Sequence, residues 1–334
     1  MINKITNPSF LHLFKEITND SYALFGLDNS FCIFTSINNI LYIVYSNIDY
    51  SIKAYNLINN VVEIEIKNAH NEDITNLRHF YDKIKKTDLI LSISFLDNNL
   101  KVWDLINWNC LLNINKINSK GFIKSACFLY DNNQNFIISS NSSDNFIKEP
   151  MKVFDLNGNK VKDINDSFDD TIVIETYYDE KSSINYILTG NNRFVKSYNY
   201  NDNTVYHKYF DEDYYDHTCI IIHDFEGIIK LIESSGDGYI RIWNFHSGHL
   251  LNKIQASEVY LYCMCLWNND YLFIGSREKT IILLDLKSET IIKKIKDNNK
   301  DIITIKKINH PQYGECLITQ GKYNEQIKLW VNFS

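Results

Sequence analysis

Apolar positions along this chain gather into short runs broken by Asn, Asp, Ser and Gly, and they do not recur at the i, i+3, i+4 spacing of an amphipathic helix. Between Thr218 and Gln255 the runs are Cys219–Ile222, Ile228–Ile232, Tyr239–Trp243 and His249–Ile254, each bounded by polar or Gly-containing breaks. That is the signature of four strands in a meander. The next stretch repeats the order with Tyr260–Trp267, Tyr271–Gly275, Thr280–Asp285 and Thr290–Ile295.

The third run of each unit ends on a large apolar or aromatic anchor, in most cases followed by Asn or Asp, as in Leu100-Lys101-Val102-Trp103-Asp104 and Ile240-Arg241-Ile242-Trp243-Asn244. Seven such anchors, Tyr55, Trp103, Phe154, Tyr198, Trp243, Leu284 and Trp330, are separated by 48, 51, 44, 45, 41 and 46 residues. A near-constant period in the forties built from β-type runs is that of a four-stranded propeller blade. The sequence therefore predicts an all-β, seven-bladed β-propeller of antiparallel blades, one domain spanning residues 1–334.

On these residues the chain resembles the WD-repeat β-propeller family over essentially its whole length, most closely in the blade that holds Trp243. The resemblance implies a hydrogen-bonded structural tetrad in that blade, made by His217, Ser235, Asp237 and Trp243. In the Trp103 blade it aligns His70, Asp97 and Trp103, with Phe95 at the Ser position, so a complete network is expected only once. Turn residues align at Asp49, Asp144, Asn192, Glu278 and Asn324 in the other blades.

The last anchor lies four residues before the final residue, so the seventh blade lacks a fourth run. Leu11-His12-Leu13-Phe14-Lys15-Glu16-Ile17 is expected to supply it, pairing beside Ile327–Trp330 and closing the ring, which removes an edge prone to self-association.

Composition narrows the function. The formal net charge is -7, from 34 Lys and Arg against 41 Asp and Glu, which argues against direct nucleic-acid binding. Seven Cys without a Cys-x-x-Cys pair indicate neither a disulfide framework nor a zinc module. Cys263-Met264-Cys265 reads as a packed inner strand, and the scattered His form no metal-binding spacing, so no metal and no cofactor is expected. No run of apolar residues is long enough for a membrane helix, and a soluble, cytoplasmic protein with no membrane insertion is expected. Ser235-Gly236-Asp237-Gly238 precedes a strand rather than a helix, which makes it a tight turn and not a phosphate loop. No catalytic residue is assigned.

The candidate binding residues are on loops. In a meander blade the connection into each blade and the turn between its second and third strands emerge on one face, here called upper. Asp163–Asp170 and Asp211–Asp216 are two successive connections of this kind. They bring Asp166, Asp169, Asp170, Asp211, Glu212, Asp213 and Asp216 together with Phe168, Tyr214 and Tyr215, and neither contains Lys or Arg. The connections at 116–120 and 294–301 are basic or mixed, so the rim is polarised. The expected function is a non-catalytic scaffold or subunit of a larger complex, binding partner proteins with a basic segment through Asp166, Phe168, Asp169, Asp170, Asp211, Glu212, Asp213, Tyr214 and Tyr215. An adaptor for phosphorylated peptides using Arg193, Arg277 and Arg241 is the alternative, and a propeller-based hydrolase is a third.

Overall fold

Each predicted unit is an antiparallel four-stranded sheet, with the strands of the first six blades paired in sequence order. The computed structural model describes residues 11–17, 31–118, 121–140, 142–143, 149–212, 214–296, 300–323 and 326–332. Blade 1 runs from Phe31 to Ile66, blade 2 from Ile74 to Ile114, blade 3 from Ala126 to Asp163 and blade 4 from Val173 to Tyr209. Blade 5 runs from His217 to Gln255 and blade 6 from Leu261 to Lys296. Blade 7 joins Ile302–His310, Gly314–Gly321 and Ile327–Asn332 to an outer strand, Leu11–Glu16, taken from the other end of the chain. Among the described residues there is no helix.

The ring closes as expected. Leu11 pairs with Asn332, Leu13 with Trp330 and Glu16 with Lys328, and the amide of Ile17 donates to the carbonyl of Ile327 at 2.6 Å. Leu11 is buried in one cluster with Trp330, Ile303 and Ile305, so the closing strand contributes apolar contacts as well as ladder hydrogen bonds.

The residue after each anchor explains why the third strand stops there. Asn56, Asp104, Asp155, Asn199, Asn244 and Asp285 each accept from a backbone amide two or three residues on, at 2.8–2.9 Å, folding the chain into the lower turn that leads to the fourth strand. Blade 7 has Val331 there. It needs no turn, because its fourth strand comes from the other end of the chain. On the upper side Asp49, Asp97 and Asp237 cap their turns in the same way, accepting from Ser51, Asn99 and Tyr239 amides at 3.0–3.2 Å. Blade 4 uses Asn191 rather than the expected Asn192, with Arg193 N at 2.7 Å and Phe194 N at 3.0 Å. Asp144 and Asn324 lie outside the described residues. Gly238 follows Asp237 at φ +83°, and an added Cβ would come within 2.2 Å of the carbonyl of Ser257.

The core consists of layers between neighbouring blades. One layer packs Cys219, Ile232, Ile240 and Ile242 of blade 5 against Leu261, Met264, Leu272, Ile282 and Leu284 of blade 6. A second device locks four of the blades to the connection before them. The residue two positions before the anchor is a cation in six blades: Lys53, Lys101, Lys152, Lys196, Arg241 and Lys328. Three of them donate to a carbonyl of the preceding connection, Lys101 to Ala69, Lys152 to Ile117 at 2.7 Å and Lys196 to Asp166 at 3.3 Å. Arg241 holds its connection through the Asp211 side chain at 2.8 Å.

Candidate functional site

On the upper face the connections into blades 3 to 7 and the turns between second and third strands surround a central mouth with a cavity of about 690 Å³. Its walls differ in character. Phe95 of blade 2, stacked on Phe122 with ring centroids 4.7 Å apart, forms an apolar wall. Asp170 and Asp216 stand at blades 4 and 5, whereas Tyr260, Tyr262, Arg277, Asp301, Lys322 and Tyr323 line blades 6 and 7.

The two candidate connections border this mouth, and the structure corrects the expectation of a bare acidic rim. Asp169 is bridged to Lys196, Asp170 to Lys124 at 2.8 Å, and Asp211 to Lys253 at 2.7 Å and to Arg241. Asp216 accepts the hydroxyl of Tyr260 at 3.0 Å. Burial opposes ionisation of Asp211, but Lys253 and Arg241 outweigh it and hold its carboxyl below the usual range. Lys196, Arg241 and Lys253 sit on strands, two of them two places before an anchor, and Lys124 on the connection into blade 3, which is why a search of the two acidic loops alone missed them. Asp166 and Glu212 remain exposed, and Asp213 lies outside the described residues. What the loops present is aromatic: Phe168 is 44% exposed, Tyr215 47% and Tyr214 62%. The guanidinium of Arg193 lies 4.5 Å from the centre of the Tyr214 ring, a cation–π contact that fixes this side chain.

The expected network at His217, Ser235, Asp237 and Trp243 divides into two. His217 Nδ1 bonds to Glu233, and the indole of Trp243 donates to the same carboxylate at 3.4 Å. Ser235 and Asp237 turn instead to Arg241, whose Nη1 lies 2.6 Å from Ser235 Oγ. Arg241 is only 1% exposed, enclosed by Asp211, Glu233 and Asp237. With Lys253 and a protonated His217 the group is neutral. Burial alone would lower the His217 pKa, but the charge and hydrogen bond of Glu233 raise it above its ordinary value of 6.5.

The arrangement nearest to the expected network stands in blade 2, with its last link, from His70 Nδ1 to Asp97, longer than a hydrogen bond. Trp103 Nε1 donates to Ser92 Oγ at 2.8 Å, His70 Nε2 contacts that hydroxyl at 2.8 Å, and His70 Nδ1 lies 3.5 Å from Asp97. Phe95, aligned at the Ser position, lines the mouth instead. Burial pulls the His70 pKa below 6.5, against the opposing effect of Asp97. Blade 7 keeps half of the arrangement, with Trp330 Nε1 donating to Thr319 Oγ1 at 2.9 Å.

Of the three arginines considered for phosphate recognition, Arg241 is buried among carboxylates, Arg193 is stacked on Tyr214, and Arg277 alone lines the mouth. Below the mouth a second cavity of about 490 Å³ surrounds Arg78, Glu175, Cys32, Cys265 and Lys306 on the inner strands. All seven cysteines are free, and among the described residues no group of three or more His, Cys, Asp or Glu could hold a metal ion. No helix among them is long and apolar enough to cross a membrane. Neither a protein-family model nor a curated protein matches this chain, which is a seven-bladed β-propeller on the strength of its sheet order and ring closure.

Proposed function

We propose that this propeller, read as a member of the WD-repeat family, is a non-catalytic platform on which other proteins assemble, engaged through the upper-face connections of blades 4 and 5. The observation that carries the reading is that Phe168, Tyr214 and Tyr215 stay exposed on loops pinned by the Lys196–Asp169, Lys124–Asp170 and Arg241–Asp211 bridges. Rings on a fixed scaffold bury large area on binding with little ordering cost, which is the usual make-up of an interface hot spot. Blade 2's Asp97–His70–Ser92–Trp103 network supports the family reading.

Because three of the carboxylates already have cationic partners, the rings rather than the charges supply most of the affinity, and Asp166 and Glu212 act mainly in orienting a basic segment. The test is recovery of co-purifying proteins with wild type and with Phe168, Tyr214 and Tyr215 all replaced by Ala. A folded triple variant should lose the specific partners. Retention of every partner at unchanged yield sinks the reading.

A further inference from the structure

We propose that Arg277 and Lys322, on the blade 6–7 wall of the upper mouth, form a subsite for a single acidic group carried on a short segment of a partner protein. The inference rests on the platform reading above and adds the chemistry of what enters the mouth.

Four observations carry it. Lys124, Lys196, Arg241 and Lys253 on this face are each bridged to a carboxylate. Arg277 and Lys322 are not: among the described residues no carboxylate lies within ion-pair distance of either. The nearby acids are already engaged, Asp301 by the hydroxyl of Tyr262 at 3.1 Å and Asp216 by that of Tyr260. The mouth is therefore lined by two cations that, among the described residues, have no carboxylate partner.

Both line the cavity together with Tyr262. Lys322 Nζ lies 5.9 Å from the centre of Tyr262 and 5.3 Å from that of Tyr323. The side chain of Arg277 begins in the adjoining turn, whose amide donates to the carbonyl of Tyr260 at 2.9 Å. The faces of Tyr260 and Tyr262, 4.8 Å apart, offer apolar surface to the aliphatic part of whatever carries the charge. One anion between a guanidinium and an ammonium gains charge-assisted hydrogen bonds from both.

The opposite wall sets the limit. Asp170 and Asp216 line the same cavity, with Asp301 beside the cations, so a chain of phosphates crossing it would meet carboxylates after the first contact. This disfavours nucleic acid and favours a segment with one acidic group. About 690 Å³ accommodates a few side chains and not a folded domain. The acidic group is the carboxylate of an Asp or Glu, or a phosphoryl group on a hydroxyl side chain; both present oxygens to the same two donors.

The experiment selects random twelve-residue peptides on the immobilised full-length protein and measures the affinity of the winners for Arg277→Gln/Lys322→Gln. Acidic residues should be enriched over the starting library. The double variant, with its melting temperature unchanged, should bind the winners roughly ten- to a hundredfold more weakly. Winners without acidic enrichment, winners that bind the double variant equally well, or no winners at all overturn the proposal. Replacing the acidic residue of a winner by phosphoserine separates the two sources, tighter binding assigning a phosphoryl group and weaker binding a carboxylate. The triple aromatic variant is carried in parallel: if it loses co-purifying partners while the peptides show no acidic preference, the platform reading stands and only this subsite falls.

Discussion

Arg78 of blade 2 and Glu175 of blade 4 meet 2.8 Å apart inside the central channel, although blade 3 and 97 residues of chain separate them. The other terminal nitrogen of Arg78 donates to the carbonyl of Ile174, also at 2.8 Å, so the guanidinium fastens to both backbone and side chain. Propeller blades touch mainly their neighbours, and this bridge adds a tie that skips a blade. Replacing Arg78 or Glu175 by Gln should each cost about 1–3 kcal/mol, and the double replacement should cost less than the sum. Urea unfolding of the four proteins checks the coupling; strictly additive losses would show that the pair has no mutual energy.

The hydroxyls under the anchor indoles give a second expectation. Ser92→Ala leaves both the Trp103 indole and His70 without their partner, and Thr319→Val leaves the Trp330 indole without one. Each should destabilise by about 1–3 kcal/mol. Ser235→Ala, at a residue whose hydroxyl bonds to neither His217 nor Trp243, should leave a double-mutant cycle with Trp243→Phe near zero coupling, measured by the same unfolding series.

The two networked histidines should respond to pH with opposite sign. His217 is raised in the folded state, so its contribution is fully present below 6.5 and fades as pH rises through the higher folded value. His70 is lowered, so its contribution is present above 6.5 and is lost as pH falls through the lower folded value. His217→Gln should therefore flatten the neutral-to-alkaline side of the melting-temperature profile, and His70→Gln the acid side. Thermal scans from pH 4 to 9 decide it, and identical profiles for the two variants would contradict the opposed shifts.

Removing residues 1–17 should expose the strand Ile327–Asn332 as an unpaired edge and strip apolar cover from Trp330. We expect a lower melting temperature and concentration-dependent association, both partly reversed by adding a synthetic peptide of residues 8–17. An unchanged, monomeric truncation product would contradict the energetic importance of the closing strand.

Sequence reading succeeded where structure is local and periodic. The anchors, the strands around Trp243 and the closing segment were all visible, because a strand's apolar run and a turn's Asn or Asp are written in adjacent residues. The networks were misplaced because they depend on register across strands. Ser92 stands opposite Lys101, and Glu233 stands opposite Arg241, so the two residues are equivalent in the sheet. Yet one lies 11 residues before its Trp and the other 10, because the intervening turns differ in length. Alignment by residue type placed Ser235 and Phe95 where the ladder places Glu233 and Ser92. The charge of the upper loops was misjudged for a related reason: Lys124, Lys196, Arg241 and Lys253 reach Asp170, Asp169 and Asp211 from other segments, and nothing within the loops records their approach.

The closing strand also imposes an order in time. A ribosome makes Leu11–Glu16 early and Ile327–Asn332 more than three hundred residues later. At about 5–20 residues per second the early strand waits roughly 15–60 s for its mate. During that interval it is an unpaired β segment with Leu13 and Phe14 uncovered, and neighbouring copies on one messenger are available to pair with it. His12, Lys15 and Glu16 interrupt its apolar character and act as gatekeepers against such pairing. The polar half of this strand thus limits unwanted pairing before the ring exists, and after closure Lys15 bonds to Asn60 of blade 1.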